Sequence, residues 1–108
     1  MRSQFSSSDH PILKGFIVFE GLDGSGTTTQ VRLLSEKLTE KGIPVWTTCE
    51  PTDRFIGKNI RKVLRGEEKI EPPALALLFA ADRYDHIYNP SDGIITHIDK
   101  AEWVLCDR

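Results

Sequence analysis

The stretch "GFIVFEGLDGSGTTTQ", residues 15–30, decides the fold predicted for this chain. It opens with a short apolar run rich in β-forming residues, which is typical of a strand buried on both faces. A glycine-rich loop follows at once, and a helical pattern follows the loop. Strand, glycine loop and helix in this order are the context in which a phosphate-binding loop occurs.

The glycine loop departs from the usual pattern at one position. That pattern is Gly, four residues, Gly, Lys, and then Ser or Thr. Gly21 and Gly26 have the right spacing and Thr28 occupies the Ser/Thr position, but Thr27 stands where the lysine belongs. Backbone N–H groups of such a loop, with those of the following helix, bind phosphate oxygens. We therefore predict a nucleotide phosphate site made of Gly21, Leu22, Asp23, Gly24, Ser25, Gly26, Thr27 and Thr28.

The competing interpretation is a glycine turn that only joins a strand to a helix. The missing lysine also matters, because it supplies a charged donor to the β- and γ-phosphates. A hydrogen bond to a charged group contributes about 1.5–3 kcal/mol. If that were lost only in the transition state, the rate would fall roughly ten- to a hundredfold or more. The loop therefore supports nucleotide binding more strongly than fast catalysis.

Composition narrows the class of protein. A chain of 108 residues is long enough for one small domain, with 1–14 read as a polar tail and 15–108 as the folded part. The net charge of −2 is not that of a general nucleic-acid binder. No apolar run is long enough to span a bilayer, and no secretory signal is visible, so we expect a cytoplasmic protein. Cys49 and Cys106 have no metal-ligand spacing and are expected to be reduced thiols.

Strand and helix patterns alternate along the chain. Strands are predicted at 15–20, 44–48 and 103–107, and helices at 27–42, 55–66, 72–89 and 94–100. This order implies an α/β fold with a parallel sheet and right-handed crossovers. The inward side chains of the first two helices are predicted to be Val31, Leu34, Leu38, Ile56, Ile60, Val63 and Leu64.

Three polar features fall at the carboxyl ends of the predicted strands. They are the glycine loop, the "EPTDR" segment at 50–54 and Asp107. Ligands of parallel α/β sheets bind at this edge. The shared position of these features at the strand ends supports a ligand site independently of the glycine motif.

Four segments together resemble the thymidylate kinase family. "FIVFEGLDGSGTTTQ" resembles the start of these enzymes, "TTCEP" their "TREP" loop, "LLFAADR" a helix segment at the thymine base, and "WVLCDR" the start of their Asp-Arg-Tyr segment. The resemblance runs from about Phe16 to Arg108 and covers about the first half of a typical member. It implies a P-loop fold of three αβα layers, with three strands of a parallel 2-3-1-4-5 sheet present here. Residues 15–108 would then be the N-terminal portion of a P-loop nucleoside monophosphate kinase domain.

The family activity implied by the resemblance is transfer of the ATP γ-phosphoryl group to dTMP, giving dTDP, with Mg²⁺ as cofactor. ATP and dTMP are the implied small-molecule partners, and a homodimer is the implied assembly. Two other interpretations of the function stay open. One is a deoxynucleoside kinase, which phosphorylates a free 5′-hydroxyl. The other is a nucleotide-binding protein, or a fragment of one, without catalytic activity.

The resemblance also implies roles for residues that bind dTMP. Asp23 would lie near the sugar 3′-hydroxyl, and the pair Phe79 and Arg83 would meet the base. The family "EP" dipeptide corresponds to Glu50 and Pro51. On residue patterns alone, core packing for Phe79 and a solvated helix face for Arg83 would be the simpler interpretations.

One acceptor-phosphate contact is in question, because Cys49 stands where the family usually has arginine. We expect Arg54, a few residues on, to substitute for it. Asp107 ends an apolar strand, as a Walker B-like carboxylate does, and would hold Mg²⁺ together with Thr28. Arg108 would then bind phosphate. No chemistry is assigned to the three histidines, His10, His86 and His97.

Overall fold

A computed structural model gives the fold, and it describes residues 15–21 and 26–108. The elements in chain order are β1 (Phe16–Phe19), α1 (Thr27–Glu40), β2 (Val45–Cys49), α2 (Phe55–Leu64), α3 (Pro72–Tyr88), α4 (Ile94–Asp99) and β3 (Trp103–Asp107). The predicted order of strands and helices is confirmed. The predicted tail at 1–14 and four loop positions, Leu22, Asp23, Gly24 and Ser25, lie outside the described residues.

The three strands form a parallel sheet with β3 in the centre, between β1 and β2. Phe19 and Cys49 both lie opposite Asp107, so all three strands end at the same edge. This is the arrangement expected for the first three strands of a 2-3-1-4-5 order. It brings the segments that follow β1, β2 and β3 together at one edge of the sheet.

Helix α1 covers one face of the sheet. Val31 and Leu38 are buried against Leu105 of β3, and Leu34 packs on the same cluster. These are the three α1 positions predicted to face inward. Burial of apolar side chains at this spacing is the main force that holds a surface helix on a sheet.

Helices α3 and α4 lie on the opposite face, and α2 packs on α3. Ile94 and Ile95, the first two residues of α4, are buried, and Ile60 of α2 is fully buried. The prediction for Leu64 was wrong, because its side chain is 58% exposed. Leu64 is the last residue of α2 and follows Val63 directly, so a rotation of about 100° turns it away from the packed face.

The buried side chains of α3 are polar. Asp82 is 1% exposed and His86 is 2% exposed, and they lie on one face of the helix, four residues apart. The large apolar side chains Leu77 and Tyr84 are exposed. The polar buried face of α3 therefore needs partners within the domain.

None of the described helices combines the length and apolar character that crossing a membrane requires.

Gly57 leaves less room for a side chain than the other glycines that the structure describes. A Cβ atom built there would lie 2.0 Å from the carbonyl oxygen of Thr52, in the segment that follows β2. Gly57 itself is buried in α2. Any side chain at this position would push α2 away from the 50–54 segment.

We predict that Gly57→Ala destabilises the protein by about 1–3 kcal/mol, the usual cost of overpacking. Alanine favours a helix interior by about 1 kcal/mol over glycine, so a loss would show that the clash dominates. Urea unfolding measures the change. Lys58→Ala, at the exposed next position of α2, is the control and should leave the midpoint nearly unchanged. A Gly57→Ala protein as stable as the wild type would contradict the packing described here.

Candidate functional site

The start of α1 meets the end of β3 at the carboxyl edge of the sheet. The Thr28 hydroxyl donates a hydrogen bond to Asp107 Oδ2 over 2.7 Å, although the two residues are 79 positions apart. Gly26 precedes the helix with φ 86° and ψ 14°, a left-handed conformation that glycine adopts without a Cβ clash. Helix α1 begins directly after this turn, and the backbone N–H groups of its first turn have no partner within the helix.

The Thr28 hydroxyl and the Asp107 carboxylate suit a hard divalent cation. Mg²⁺ prefers oxygen ligands and commonly uses one or two from protein while it keeps several waters. Thr28 is exposed, so a solvated ion has access to the pair. The two residues predicted to hold a metal are thus brought together by the fold.

Arg108 points to the other face of the sheet from Asp107, since consecutive strand residues alternate. Its backbone N–H donates to the Phe19 carbonyl over 2.8 Å, which extends the pairing of β3 with β1. Its guanidinium forms an ion pair with Glu20, the residue after β1. The predicted phosphate-binding arginine therefore lies at the sheet edge, with its charge directed to Glu20.

Asp82 anchors the 50–54 segment to α3. Its Oδ2 accepts the Thr52 backbone N–H over 2.8 Å, and its Oδ1 accepts the Thr52 hydroxyl over 2.6 Å. Both residues are buried. A buried carboxylate needs such donors, because an unsatisfied charge inside a protein is very costly. The segment and the helix are consequently held in one fixed relation.

Glu50 makes the second link between the segment and α3. Its Oε1 accepts from Arg83 Nε over 3.0 Å, and its Oε2 lies 2.8 Å from His86 Nδ1. Burial by itself raises the pKa of Glu50, but the bonds to His86 and Arg83 outweigh it and lower the pKa below its usual range. On its other side, His86 Nε2 lies 2.7 Å from the hydroxyl of Thr48.

Arg54 makes the third link, through Asp85. Its Nε donates to Asp85 Oδ2 over 2.7 Å. This hydrogen bond is the largest influence on the carboxyl group and lowers the pKa of Asp85. Together, four side chains of α3 contact the 50–54 segment: Asp82, Arg83, Asp85 and His86. Of these four residues, only Arg83 was predicted from the sequence as a site residue, and it was predicted to contact the base. The signal available for the other three was their position on the same face or edge of the helix.

Helix α2 contacts the same segment near Cys49. Arg61 donates to the carbonyl oxygen of Pro51, and its Nη2 lies 3.6 Å from Cys49 Sγ. Burial, followed by the nearby Asp53 charge, raises the pKa of the Cys49 thiol. The position at which the family resemblance expects an arginine therefore holds a protonated thiol beside a guanidinium from α2.

A cavity of about 410 Å³ connects several predicted residues. It is lined by Thr28, Val31, Trp46, Thr47, Thr48, Cys49, Thr52, Asp53, Arg54, His86, Asp92 and Asp107. The cavity brings the Thr28–Asp107 pair and Arg54 into one space. Neither Phe79 nor Arg83 is among its lining residues. Phe79 is 39% exposed on α3, one helical turn before Arg83.

Two histidine environments are explained by packing and hydrogen bonds. Among the described residues, ligand atoms of Glu50, His86 and Cys106 lie within 4.8 Å of one another. Burial raises the pKa of the Cys106 thiol to about 12. The polar atoms of Glu50 and His86 are already joined by hydrogen bonds to each other, to Arg83 and to Thr48. His97 of α4 stacks on Trp46 of β2 with ring centroids 3.7 Å apart.

The lowered pKa of Glu50 makes stability depend on pH. Its contribution is present above the usual glutamate pKa and is lost as the pH falls through the lower value of the folded state. We predict that Glu50→Gln destabilises the protein at neutral pH and reduces the loss of stability between about pH 5 and 3. Urea unfolding across that range measures both effects. Glu68→Gln, at an exposed position, is the control; an unchanged pH profile in Glu50→Gln would contradict the network.

This chain is similar to known proteins over most of its length. The family model described as Thymidylate kinase matches residues 19–108. The "Probable thymidylate kinase" of Methanococcus maripaludis (strain C7) is 56% identical over 93 residues, covering 86% of this chain and 41% of that protein. The thymidylate kinase of Carboxydothermus hydrogenoformans is 44% identical over 94 residues, covering 86% of this chain and 45% of that protein.

A solved structure shares the fold as well. The crystal structure of thymidylate kinase from Ehrlichia chaffeensis matches with a TM-score of 0.69 and 35% identity, over 86% of this chain and 50% of that one. The chain thus spans about half the length of the relatives it matches. A match that includes β3, Asp107 and the whole of α3 shows that this chain belongs to the thymidylate kinase family.

Proposed function

We propose that this chain carries the donor-phosphate, Mg²⁺ and dTMP sites of an enzyme that phosphorylates dTMP to dTDP with ATP. The observation that carries the proposal is the juxtaposition at one sheet edge. The Thr28–Asp107 pair lies beside the 50–54 segment, which three links hold on α3. Family membership adds the reaction class.

On the donor side, the predicted phosphate loop and the free N–H groups of α1 bind the ATP phosphates. Thr28 and Asp107 hold Mg²⁺, which neutralises charge on the β- and γ-phosphates when it is bound. Arg108 is close enough to the same edge to bind phosphate if it leaves Glu20. In-line phosphoryl transfer needs little covalent chemistry from a protein, so positioning and charge stabilisation supply the catalysis.

On the acceptor side, Phe79 and Arg83 bind the thymine base, by stacking and by donation to a carbonyl oxygen. Their placement four residues apart on α3 supports this, as does the partial exposure of Phe79. Arg54 lines the cavity and offers a positive charge for the 5′-phosphate. Within the same proposal, Asp23 binds the sugar, Glu50 and Pro51 complete the pocket, and the enzyme works as a cytoplasmic homodimer.

The acceptor tests the proposal against the deoxynucleoside kinase alternative. We predict that the purified protein transfers the γ-phosphate of Mg-ATP to dTMP and not to thymidine, because the segment near Arg54 is arranged to receive a phosphate. Formation of labelled dTDP or dTMP, separated by chromatography, measures the two reactions. Phosphorylation of thymidine in preference to dTMP would contradict the proposal.

Thr27 favours a second candidate, a nucleotide-binding protein with little or no catalytic activity. It is the first residue of α1, where the phosphate-loop pattern has lysine. We predict that Thr27→Lys raises kcat roughly ten- to a hundredfold, the value of one charged contact made in the transition state. Steady-state kinetics with ATP and dTMP measures it.

Thr29→Lys, at an exposed position of the same helical turn, is the matched control and should give no gain. An unchanged kcat in Thr27→Lys would contradict the prediction and would mean that another cation already supplies the charge. Nucleotide binding without turnover in both the wild type and Thr27→Lys would favour the binding protein.

A further inference from the structure

A chain of hydrogen bonds leads from the interior of the sheet to the surface beside Arg83. It runs from Thr48 of β2 to His86 of α3, then to Glu50 and then to Arg83. Exposure rises along it: the side chain of His86 is 2% exposed, that of Glu50 11% and that of Arg83 49%. The buried end is therefore rigid and the outer end can reach a ligand.

The direction of each bond follows from the chemistry of the groups. An ionised Glu50 carboxylate has no proton to donate, so His86 Nδ1 carries the hydrogen and donates to Oε2. In a neutral imidazole Nε2 is then an acceptor, and the Thr48 hydroxyl donates to it. This arrangement satisfies both ring nitrogens. Trp46 packs against the ring with centroids 6.0 Å apart at 63°, which restricts rotation of the imidazole.

We propose that His86 is a positioning residue for dTMP binding, acting through Glu50 on Arg83. The inference rests on the proposed function, in which Arg83 contacts the base. Each Glu50 oxygen accepts from one protein donor, Oε1 from Arg83 and Oε2 from His86, so the carboxylate holds Arg83 in place. Arginine has many rotamers, and an ordered guanidinium loses less entropy when a ligand binds. His86 supports that order through Glu50.

Two substitutions of His86 separate its two hydrogen bonds. Asparagine places an amide N–H near the position of Nδ1, so His86→Asn keeps a donor for Glu50. Glutamine places its amide near the position of Nε2, so His86→Gln keeps a partner for Thr48 and loses the one for Glu50. The pair therefore distinguishes positioning of Glu50 from simple filling of a buried space.

Steady-state kinetics on the complete protein gives the first readout. We expect His86→Gln to raise the KM for dTMP about tenfold or more, the effect of losing a hydrogen bond to a charged group. His86→Asn should raise it less than about threefold, and kcat and the KM for ATP should change little in both. Equal increases in the two variants would overturn the proposal.

NMR of the Arg83 Nε–H proton gives a second readout that needs no activity. We expect the proton to exchange slowly in the wild type and in His86→Asn, and quickly in His86→Gln. Slow exchange in His86→Gln would overturn the proposal, whatever the kinetics show. Failure of the wild type to phosphorylate dTMP would refute the proposed function, while this readout would still decide whether His86 orders Arg83.

Thr48→Val carries the test if the His86 variants do not fold. It keeps the side-chain volume close to that of threonine and removes only the donor to Nε2. We expect faster exchange of Arg83 Nε–H and a higher KM for dTMP, both smaller than in His86→Gln. Thr48→Ser, which keeps the hydroxyl, is the matched control and should behave as the wild type. Wild-type behaviour of Thr48→Val would overturn the proposal.

Discussion

The buried carboxylate of Asp82 is the constraint on which the rest of the site depends. It accepts two hydrogen bonds from Thr52, one from the backbone and one from the hydroxyl. Moving the 50–54 segment would leave the buried carboxyl group of Asp82 without these two donors, which is costly for any buried polar group. The absence of a side chain at Gly57 lets α2 close over Thr52 from the other side. Segment, α2 and α3 consequently behave as one unit.

Alternation along the strands places the polar side chains at the strand ends on two different faces of the sheet. At the end of β2 and β3, Cys49 and Asp107 lie on the α1 face, and Asp107 meets Thr28 there. Glu50 follows on the α3 face and meets Arg83 and His86. In the proposed reaction, a donor nucleotide bound on the α1 side and an acceptor bound on the α3 side would meet at the carboxyl edge of the sheet.

Much of this fold could be predicted from local sequence. Apolar runs and helical spacing predicted every described element, and the strand-end positions predicted that Thr28 and Asp107 would meet. Leu64 was wrongly predicted to be buried. It continues the apolar spacing of α2, but it lies at the end of the helix and its side chain is exposed. The main omission was the buried face of α3. Asp82, Asp85 and His86 look like a solvated face, since their partners lie 30 to 38 residues earlier in the chain and only folding brings them together.

Hydrogen–deuterium exchange, read by mass spectrometry with each nucleotide in turn, tests whether α3 and the 50–54 segment form one unit. We expect dTMP to slow exchange in residues 50–54 and 79–86 together, because the hydrogen bonds between them couple their motions. Mg-ATP should instead slow exchange at the start of α1 and the end of β3. Protection of only one of the first two regions by dTMP, or protection by dTMP confined to the α1 face, would contradict it.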